Sequence, residues 1–92
     1  MKLEIVSPEA ILFNGEVDSV AVPGINGEFQ MLSNHAPIVS LLKEGVVKIY
    51  GSLSIEEENK DKFTKVDNDG THLSINSGTI ELKENKIIIL AD

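Results

Sequence analysis

The 92-residue sequence lacks cysteine, arginine and tryptophan, and the first two absences exclude classes of function. Without cysteine there is no disulfide framework and no thiolate chemistry, which excludes small disulfide-rich scaffolds and thiol enzymes. All eight basic residues are lysine, and 15 acidic residues bring the net charge to -7. Because arginine is the usual residue for bidentate phosphate contacts, and negative charge repels polyanions, we expect no binding to nucleic acid or to anionic lipid.

Long hydrophobic runs are also absent. The longest purely apolar run, Ile87 to Ala91, is far shorter than the about 20 residues that a membrane-spanning helix needs. The first residues lack the apolar stretch of a signal peptide. The sequence therefore predicts one soluble, intracellular domain over residues 1–92, without direct insertion into lipid, and its core must be built from Val, Ile and Leu because aromatics make up only 4%.

Apolar and polar residues alternate with a period of two along most of the chain, which is typical of half-buried β-strands. The alternating segments are 2–6, 47–55, 72–76 and 79–83. Gly51 is expected either to bend a strand pair within 47–55 or to kink one long strand. Short turn sequences separate the runs: Asn14-Gly15, Pro23-Gly24, Asn26-Gly27, Asp67-Asn68-Asp69-Gly70, Ser77-Gly78 and Glu84-Asn85. This pattern predicts an all-β sandwich or flattened barrel.

Two segments do not follow the alternation. The segment from Glu56 to Phe63 has a composition compatible with a helix, but a charged hairpin loop is the favoured prediction because it contains a single apolar residue. Ile87 to Leu90 are apolar on both faces, which predicts a strand covered on both sides, by the core and by a partner or a neighbouring strand.

The sequence contains no pattern that indicates catalysis. No glycine is followed by lysine, so a phosphate-binding loop is absent, and no serine lies in a GxSxG elbow. His35 and His72 are far apart and have no HxH or HxxxH partner, which argues against a metal site. Asp67 and Asp69 faintly resemble a calcium loop, but a hairpin turn explains them better. We therefore expect no catalytic residue, no metal and no cofactor.

The segment from Val22 to Gly45 differs in composition from the rest of the chain. It combines three glycines and two prolines with Glu28, a single His and the residues Phe29 and Met31, which look exposed. Its turn sequences predict that 28–35 projects as a loop–strand–loop at one end of the sandwich. A projecting rim with a few apolar and polar anchors is typical of a docking surface.

Several motifs in this segment and elsewhere resemble one known family. Val22-Pro-Gly-x-x-Gly-Glu28, Leu32-x-x-His-Ala-Pro37 and Leu42-x-x-Gly45 are similar to the signature of the epsilon subunit of F-type rotary ATP synthase, which is called delta in mitochondria. The resemblance continues through 3–9, Phe13-x-Gly15, 77–81 and the final segment 88–92. It covers essentially the whole chain and is weakest over 51–72.

The resemblance implies a ten-stranded β-sandwich that acts as a non-catalytic rotor subunit in the central stalk. It implies binding to the gamma subunit and to the polar loops of the c-ring, an indirect connection to the catalytic alpha/beta head, and a peripheral position on the cytoplasmic face of a bacterial inner membrane. The implied c-ring contacts are Glu28, Phe29, Gln30, Met31, Leu32, Ser33, Asn34 and His35. The implied gamma contacts are Ser7, His35 and Ser40. Longer family members continue into two helices; because the sequence lacks this C-terminal helical hairpin, the inhibitory and nucleotide-binding roles of those helices are not carried over.

Four alternatives stay open from the sequence. Phe29, Met31 and Leu32 alternate imperfectly, so at least one of them is expected to lie in the core. His35 can cap its own loop through a ring nitrogen as readily as it can contact a partner. Glu28 can be an ordinary turn carboxylate whose ion pair contributes little. The whole domain can instead be a free-standing ligand-binding module that uses a groove beside Tyr50 and Phe63, although it lacks the aromatic platform that such modules usually have.

Overall fold

The computed structural model describes residues 1–67 and 70–92, and these contain ten strands and one 3-10 helix. The strands are β1 (Lys2–Val6), β2 (Ile11–Glu16), β3 (Ser19–Gly24), β4 (Gly27–Leu32), β5 (Ile38–Leu42), β6 (Gly45–Tyr50), β7 (Phe63–Lys65), β8 (Gly70–Ile75), β9 (Gly78–Lys83) and β10 (Lys86–Ala91). The 3-10 helix is Glu57–Lys62. The predicted all-β fold with about ten strands is confirmed.

The ten strands form one hydrogen-bonded sheet that curls on itself into two layers. The first layer has the order β2-β1-β10-β9-β5, and the second has β3-β6-β8-β7 with β4 on the other edge of β3. The layers are joined where Gly24 of β3 lies opposite Leu42 of β5. Neighbouring strands are antiparallel except β1 and β10, which run parallel from Lys2 opposite Lys86 to Val6 opposite Leu90.

The core lies between the layers and follows from the alternation in the sequence. In β1, Leu3 and Ile5 are fully buried, while Lys2 and Glu4 point to the outside. Full burial of one such side chain contributes roughly 1.5 to 3 kcal/mol. The largest fully buried side chains are Leu3, Ile5, Val20, Val22, Met31, Val47, Ile49, Ile80, Leu82, Ile87 and Ile89. The aliphatic core predicted from composition is confirmed.

The prediction of a bent strand pair or one long strand over 47–55 is wrong beyond Tyr50. The strand β6 ends there because Ser19 and Gly70, which lie opposite Tyr50, are the first residues of the neighbouring strands β3 and β8. Gly51 then takes φ +133°, a conformation that favours glycine. The prediction that Leu53 and Ile55 lie on the same face as Val47 and Ile49 is nevertheless correct, since both pack against the core.

The segment 56–63 is a 3-10 helix followed by a strand, so the predicted hairpin loop is wrong. Glu57 and Glu58 lie in its first turn and Lys60 and Lys62 in its last turn, an order that complements the helix dipole. Its buried side chain, Asn59, donates hydrogen bonds from Nδ2 to the carbonyl oxygens of Ile11 and Leu12, both at 3.3 Å. This polar anchor on β2 stabilises a helix that has little apolar surface.

The turn predictions have mixed outcomes. Asn26-Gly27 and Ser77-Gly78 lie at strand connections, and Glu84 and Asn85 form a tight turn with φ of 52° and 62°. Asn14-Gly15 lies inside β2 and Pro23-Gly24 ends β3, so these two predictions are wrong. A Cβ on Gly15 would lie 3.0 Å from the Phe13 ring, which explains a glycine within a strand. In the predicted turn Asp67–Gly70, Asn68 and Asp69 lie outside the described residues.

Candidate docking surfaces

The predicted rim 28–35 consists of the edge strand β4 and the loop that follows it. Among the described residues β4 pairs with β3 alone, so its other edge is open. Glu28 lies beside the turn that contains Ile25, whereas the 33–37 loop lies at the opposite end, where the amide of Asn34 donates to Asn85 Oδ1 at 3.1 Å. From Glu28 to Leu32 the strand extends about 13 Å. The prediction that 28–35 projects at one end is therefore wrong, because the segment runs along an edge from the Ile25 end to the His35 end.

The side chains of β4 alternate between the core and the outside. Phe29 lies opposite Val22 and packs against the core, and Met31 lies opposite Val20 and is fully buried. The expectation that at least one of Phe29, Met31 and Leu32 lies in the core is confirmed. Met31, which looked exposed from its neighbours, is the fully buried one, because a strand places every second side chain on the same face. Glu28, Gln30 and Leu32 face outward, and these three can contact a partner.

Glu28 is engaged within the domain. Its Oε1 lies 2.9 Å from the Lys48 ammonium on β6, across the outer face of the second layer. The hydrogen bond from Lys48 to Glu28 and the negative charge of Glu28 raise the pKa of the Lys48 side chain above 10.5. The carboxylate is half-exposed, so one edge of it is open to a partner while the other holds Lys48.

His35 lies in an exposed loop that is held by local hydrogen bonds. Its Nδ1 lies 2.7 Å from the carbonyl oxygen of Ala36 and donates to it, and its amide donates to the Leu32 carbonyl at 3.2 Å. Asn34 adopts a left-handed conformation, with φ 66°. The ring therefore has the capping geometry that the sequence allowed, and Nε2 is the ring atom left for another contact.

The three implied gamma contacts, Ser7, His35 and Ser40, do not form one cluster. Ser7 lies at the Ile25 end, where its hydroxyl donates to the Ala10 carbonyl at 3.2 Å. His35 lies at the other end. Ser40 lies on the core-facing side of β5 between Ile38 and Leu42, because it is opposite the buried Ile80 of β9. A single flat partner surface cannot reach all three side chains.

An apolar row crosses the outer face of the first layer. Strand register places Leu41 opposite Thr79, Thr79 opposite Leu90, Leu90 opposite Val6, and Val6 opposite Ile11. Leu41, Leu90 and Ile11 are 58%, 53% and 56% exposed. We call the five residues Leu41, Thr79, Leu90, Val6 and Ile11 the apolar row. Within the domain the core covers one face of the last strand and Leu90 is exposed on the other, so the predicted cover of that face by a partner stays a prediction.

The apolar row continues into a shallow depression at the Ile25 end. The depression has a volume of about 630 Å³ and is lined by Ile25, Pro8, Leu41 and Leu90 among others. Contiguous exposed apolar surface of this kind marks an interaction site. The alternation of apolar and polar residues along the sequence does not reveal this surface. Only the register between strands shows that outward apolar residues of five separate segments are neighbours.

The described residues give no support to a membrane-spanning helix or a metal site. No helix in the described part of the chain combines the length and apolar character needed to cross a bilayer. Within residues 1–67 and 70–92, no three His, Asp or Glu side chains converge in a way that could hold a metal ion. Tyr50 shares the outer face with Lys48, whereas Phe63 packs against the core and lines a cavity together with Gly51 and Leu53; a groove beside Phe63 is therefore present, but Tyr50 does not line it.

Comparisons with known proteins bear on the same fold. The whole chain, residues 1–92, matches the family model of the ATP synthase, Delta/Epsilon chain, beta-sandwich domain. An ATP synthase epsilon chain of Leptospira interrogans (strain Fiocruz L1-130) is 41% identical over 92 residues, which are 100% of this chain and 61% of the relative. An ATP synthase epsilon chain of Chlorobium limicola is 37% identical over 91 residues, which are 99% of this chain and 88% of the relative. The chain thus spans less than two thirds of the first relative and most of the second.

A solved structure has the same architecture. A chain in the cryo-EM structure of the Tetrahymena thermophila mitochondrial ATP synthase, central stalk/c-ring, matches with a TM-score of 0.73. The match covers 98% of this chain and 61% of that chain at 12% identity, and it therefore shows the fold.

The fold and its exposed apolar row define a β-sandwich domain with a candidate docking surface. Because the whole chain matches one family model, this class can be narrowed to one family. The chain belongs to the ATP synthase delta/epsilon family, as its beta-sandwich domain.

Proposed function

We propose that this domain is a non-catalytic rotor subunit of an F-type ATP synthase that couples rotation of the c-ring to the catalytic alpha/beta head. It binds the gamma subunit and the polar loops of the c-ring on the cytoplasmic face of a bacterial inner membrane. Family membership supports a place in the central stalk, because the solved relative is part of a central stalk/c-ring structure. The observation that carries the proposal is the apolar row on the first layer.

Gamma is the partner we assign to the apolar row. Ser7, which the family resemblance places toward gamma, lies at the Ile25 end beside Leu41 and Leu90. Burying these exposed aliphatic side chains supplies about 25 cal/mol for each Å² of apolar surface removed from water. Residues at the centre of such a contact contribute most of the binding energy.

The candidate contacts for the c-ring loops lie on the outward side of β4 and in the loop after it. The exposed candidates are Glu28, Gln30 and Leu32, followed by Ser33, Asn34 and His35. Met31 is left out because its side chain is buried, and Phe29 contributes its accessible edge at most. Glu28 and His35 lie at opposite ends of this edge, so a flat ring surface can contact only one of them. We assign the c-ring contact to the end that carries Glu28.

The first experiment measures binding of the gamma subunit to purified variants. Leu90→Glu is expected to weaken binding by at least about tenfold, because a charge would be buried at the centre of the contact. Leu41→Glu should act in the same way. Thr64→Glu adds the same charge to an exposed site on the outer face of the second layer and should leave binding unchanged. Unchanged affinity of both leucine variants would overturn the assignment of gamma to this row.

The second experiment separates the role of Glu28 toward the c-ring from its role toward Lys48. Glu28→Lys is expected to lower coupled ATP synthesis in membrane vesicles, and the double variant Glu28→Lys/Lys48→Glu restores the internal ion pair while the surface charge at position 28 stays reversed. If Glu28 contacts the ring, coupling stays low in the double variant. Full recovery of coupling would show that the residue acts through Lys48 alone.

A further inference from the structure

A second cavity lies on the core side of the second layer, away from both proposed docking surfaces. Its volume is about 530 Å³, which lies within the range of roughly 300 to 1,000 Å³ that is typical of small-molecule sites. It is bounded by the segment after β6, the 3-10 helix, β7 and the start of β8. The proposed rotor function does not use this cavity.

The cavity exists because the chain leaves the sheet at Gly51. The segment 52–55 belongs to no strand, and among the described residues its amides donate no hydrogen bond to a backbone carbonyl. Leu53 and Ile55 of this segment, together with Phe63 of β7, are half-buried and pack against the core. They give the cavity an apolar floor and leave backbone donors close to it.

The polar groups of the lining are positive or neutral. Lys60 and Lys65 are its charged residues, and none of the carboxylates in the described part of the chain lines it. Lys60 has a contact of 3.3 Å with Glu57, between two exposed side chains, which holds it weakly. Lys65 forms no ion pair with another described residue. A cavity whose charged lining residues are both lysines, beside an apolar floor, contrasts with the net charge of -7 of the whole chain.

A threonine hydroxyl completes the site. Thr71 lies directly opposite Lys65 on β8 and lines the cavity. Among the described residues no buried side-chain oxygen lacks a hydrogen-bond partner, so the Thr71 hydroxyl, which makes no hydrogen bond to another described residue, is accessible. It can donate to a polar ligand atom in the cavity.

The geometry points to a binding site for a small amphipathic anion, a monocarboxylate with a short apolar tail. The tail packs on Leu53, Ile55 and Phe63, the carboxylate lies between the Lys60 and Lys65 ammonium groups, and the Thr71 hydroxyl donates to it. A carboxylate with a chain of medium length fits a cavity of this volume and matches the separation of apolar floor and charged mouth.

Octanoate is the probe, and amide chemical shifts of the 92-residue chain are the measurement. Saturable shifts are expected for Gly51, Leu53, Ile55, Phe63 and Thr71, with smaller shifts elsewhere. The double variant Lys60→Gln/Lys65→Gln is expected to raise the dissociation constant about five- to tenfold, because each exposed charge contributes modestly. Both lysines are exposed, so the variant is expected to remain folded.

Lys83→Gln/Lys86→Gln is the matched control. It removes the same charge from two exposed lysines that are paired across β9 and β10, and it should leave the dissociation constant within about twofold. Octanamide, which keeps the tail and removes the charge, should bind several-fold more weakly than octanoate. The proposal is overturned if octanoate causes no saturable shifts, if the shifts fall on the apolar row, or if both double variants bind equally well.

Discussion

The outer face of the first layer carries Leu41, Leu90 and Ile11 in one row, whereas the outer face of the second layer carries Glu28, Gln30 and Lys48. On the second layer the polar groups pair with one another: Glu28 lies 2.9 Å from Lys48, and Gln30 Nε2 donates to Ser19 Oγ at 3.0 Å. Within the apolar row no such pairing is possible, because its side chains are apolar apart from Thr79.

This difference indicates which of the two outer faces would be stabilised more by contact with a partner. A face whose polar groups already pair gains little from a new contact, since each new interaction must replace an existing one or displace water. An exposed aliphatic row gains from any cover that excludes water. The two layers share one core, so the contrast arises entirely from the outward positions of the alternating strands.

The largest change in stability is expected on the core-facing side of β4, compared with a substitution on the outward side of the same strand. Met31→Ala should lower the free energy of unfolding by about 2 to 5 kcal/mol, because it leaves a cavity beside Val20. Leu32→Ala, on the outside of the same strand, should change it by less than about 0.5 kcal/mol. Urea unfolding measures both. Equal effects of the two variants would contradict the burial pattern of the second layer.

A smaller effect tests the anchor between the 3-10 helix and the edge of the first layer. Asn59→Ala should cost about 1 to 3 kcal/mol, since it leaves the Ile11 and Leu12 carbonyls without their donor. Asn14→Ala, at an exposed position of β2, is the control. Hydrogen exchange should show faster opening of 57–62 in Asn59→Ala. Unchanged protection there would mean that the helix is held by other contacts.

The smallest effect concerns the ion pair of the second layer and depends on pH. Since Glu28 raises the pKa of Lys48 above 10.5, the pair stabilises the fold fully below about 10.5, and this contribution is lost as the pH rises through the higher folded value. In Glu28→Gln the pKa of Lys48 should fall toward its ordinary value, and NMR titration of the lysine side chains measures this. The stability of wild type and variant should converge at strongly alkaline pH. A Lys48 pKa that is unchanged by the substitution would contradict the pairing.

Alternation was enough to predict the all-β fold and most of the core, because burial in a sandwich depends on which face a residue occupies. Leu3, Ile5, Leu73, Ile80 and Leu82 lie inside as their spacing indicates. The sequence placed at least one of Phe29, Met31 and Leu32 in the core but did not identify Met31, because it lies among turn residues and polar neighbours, although it has the same parity in β4 as the half-buried Phe29.

The remaining features depend on contacts between distant segments, which spacing along the chain does not reveal. The end of β6 at Tyr50 follows from where β3 and β8 begin, and the 3-10 helix depends on Asn59 reaching β2. The apolar row requires the register of five strands. The pairing of Glu28 with Lys48 likewise crosses β3, which lies between their strands.

The parallel pairing of β1 with β10 has a mechanical consequence. Lys2 and Ala91 lie near opposite ends of two adjacent strands whose register runs from Lys2–Lys86 to Val6–Leu90. A force that pulls these two residues apart would slide one strand along the other and load all the hydrogen bonds between them at once, instead of opening them one after another. The domain should therefore resist extension along this axis far better than a pull applied across the β9–β10 hairpin, which would unzip.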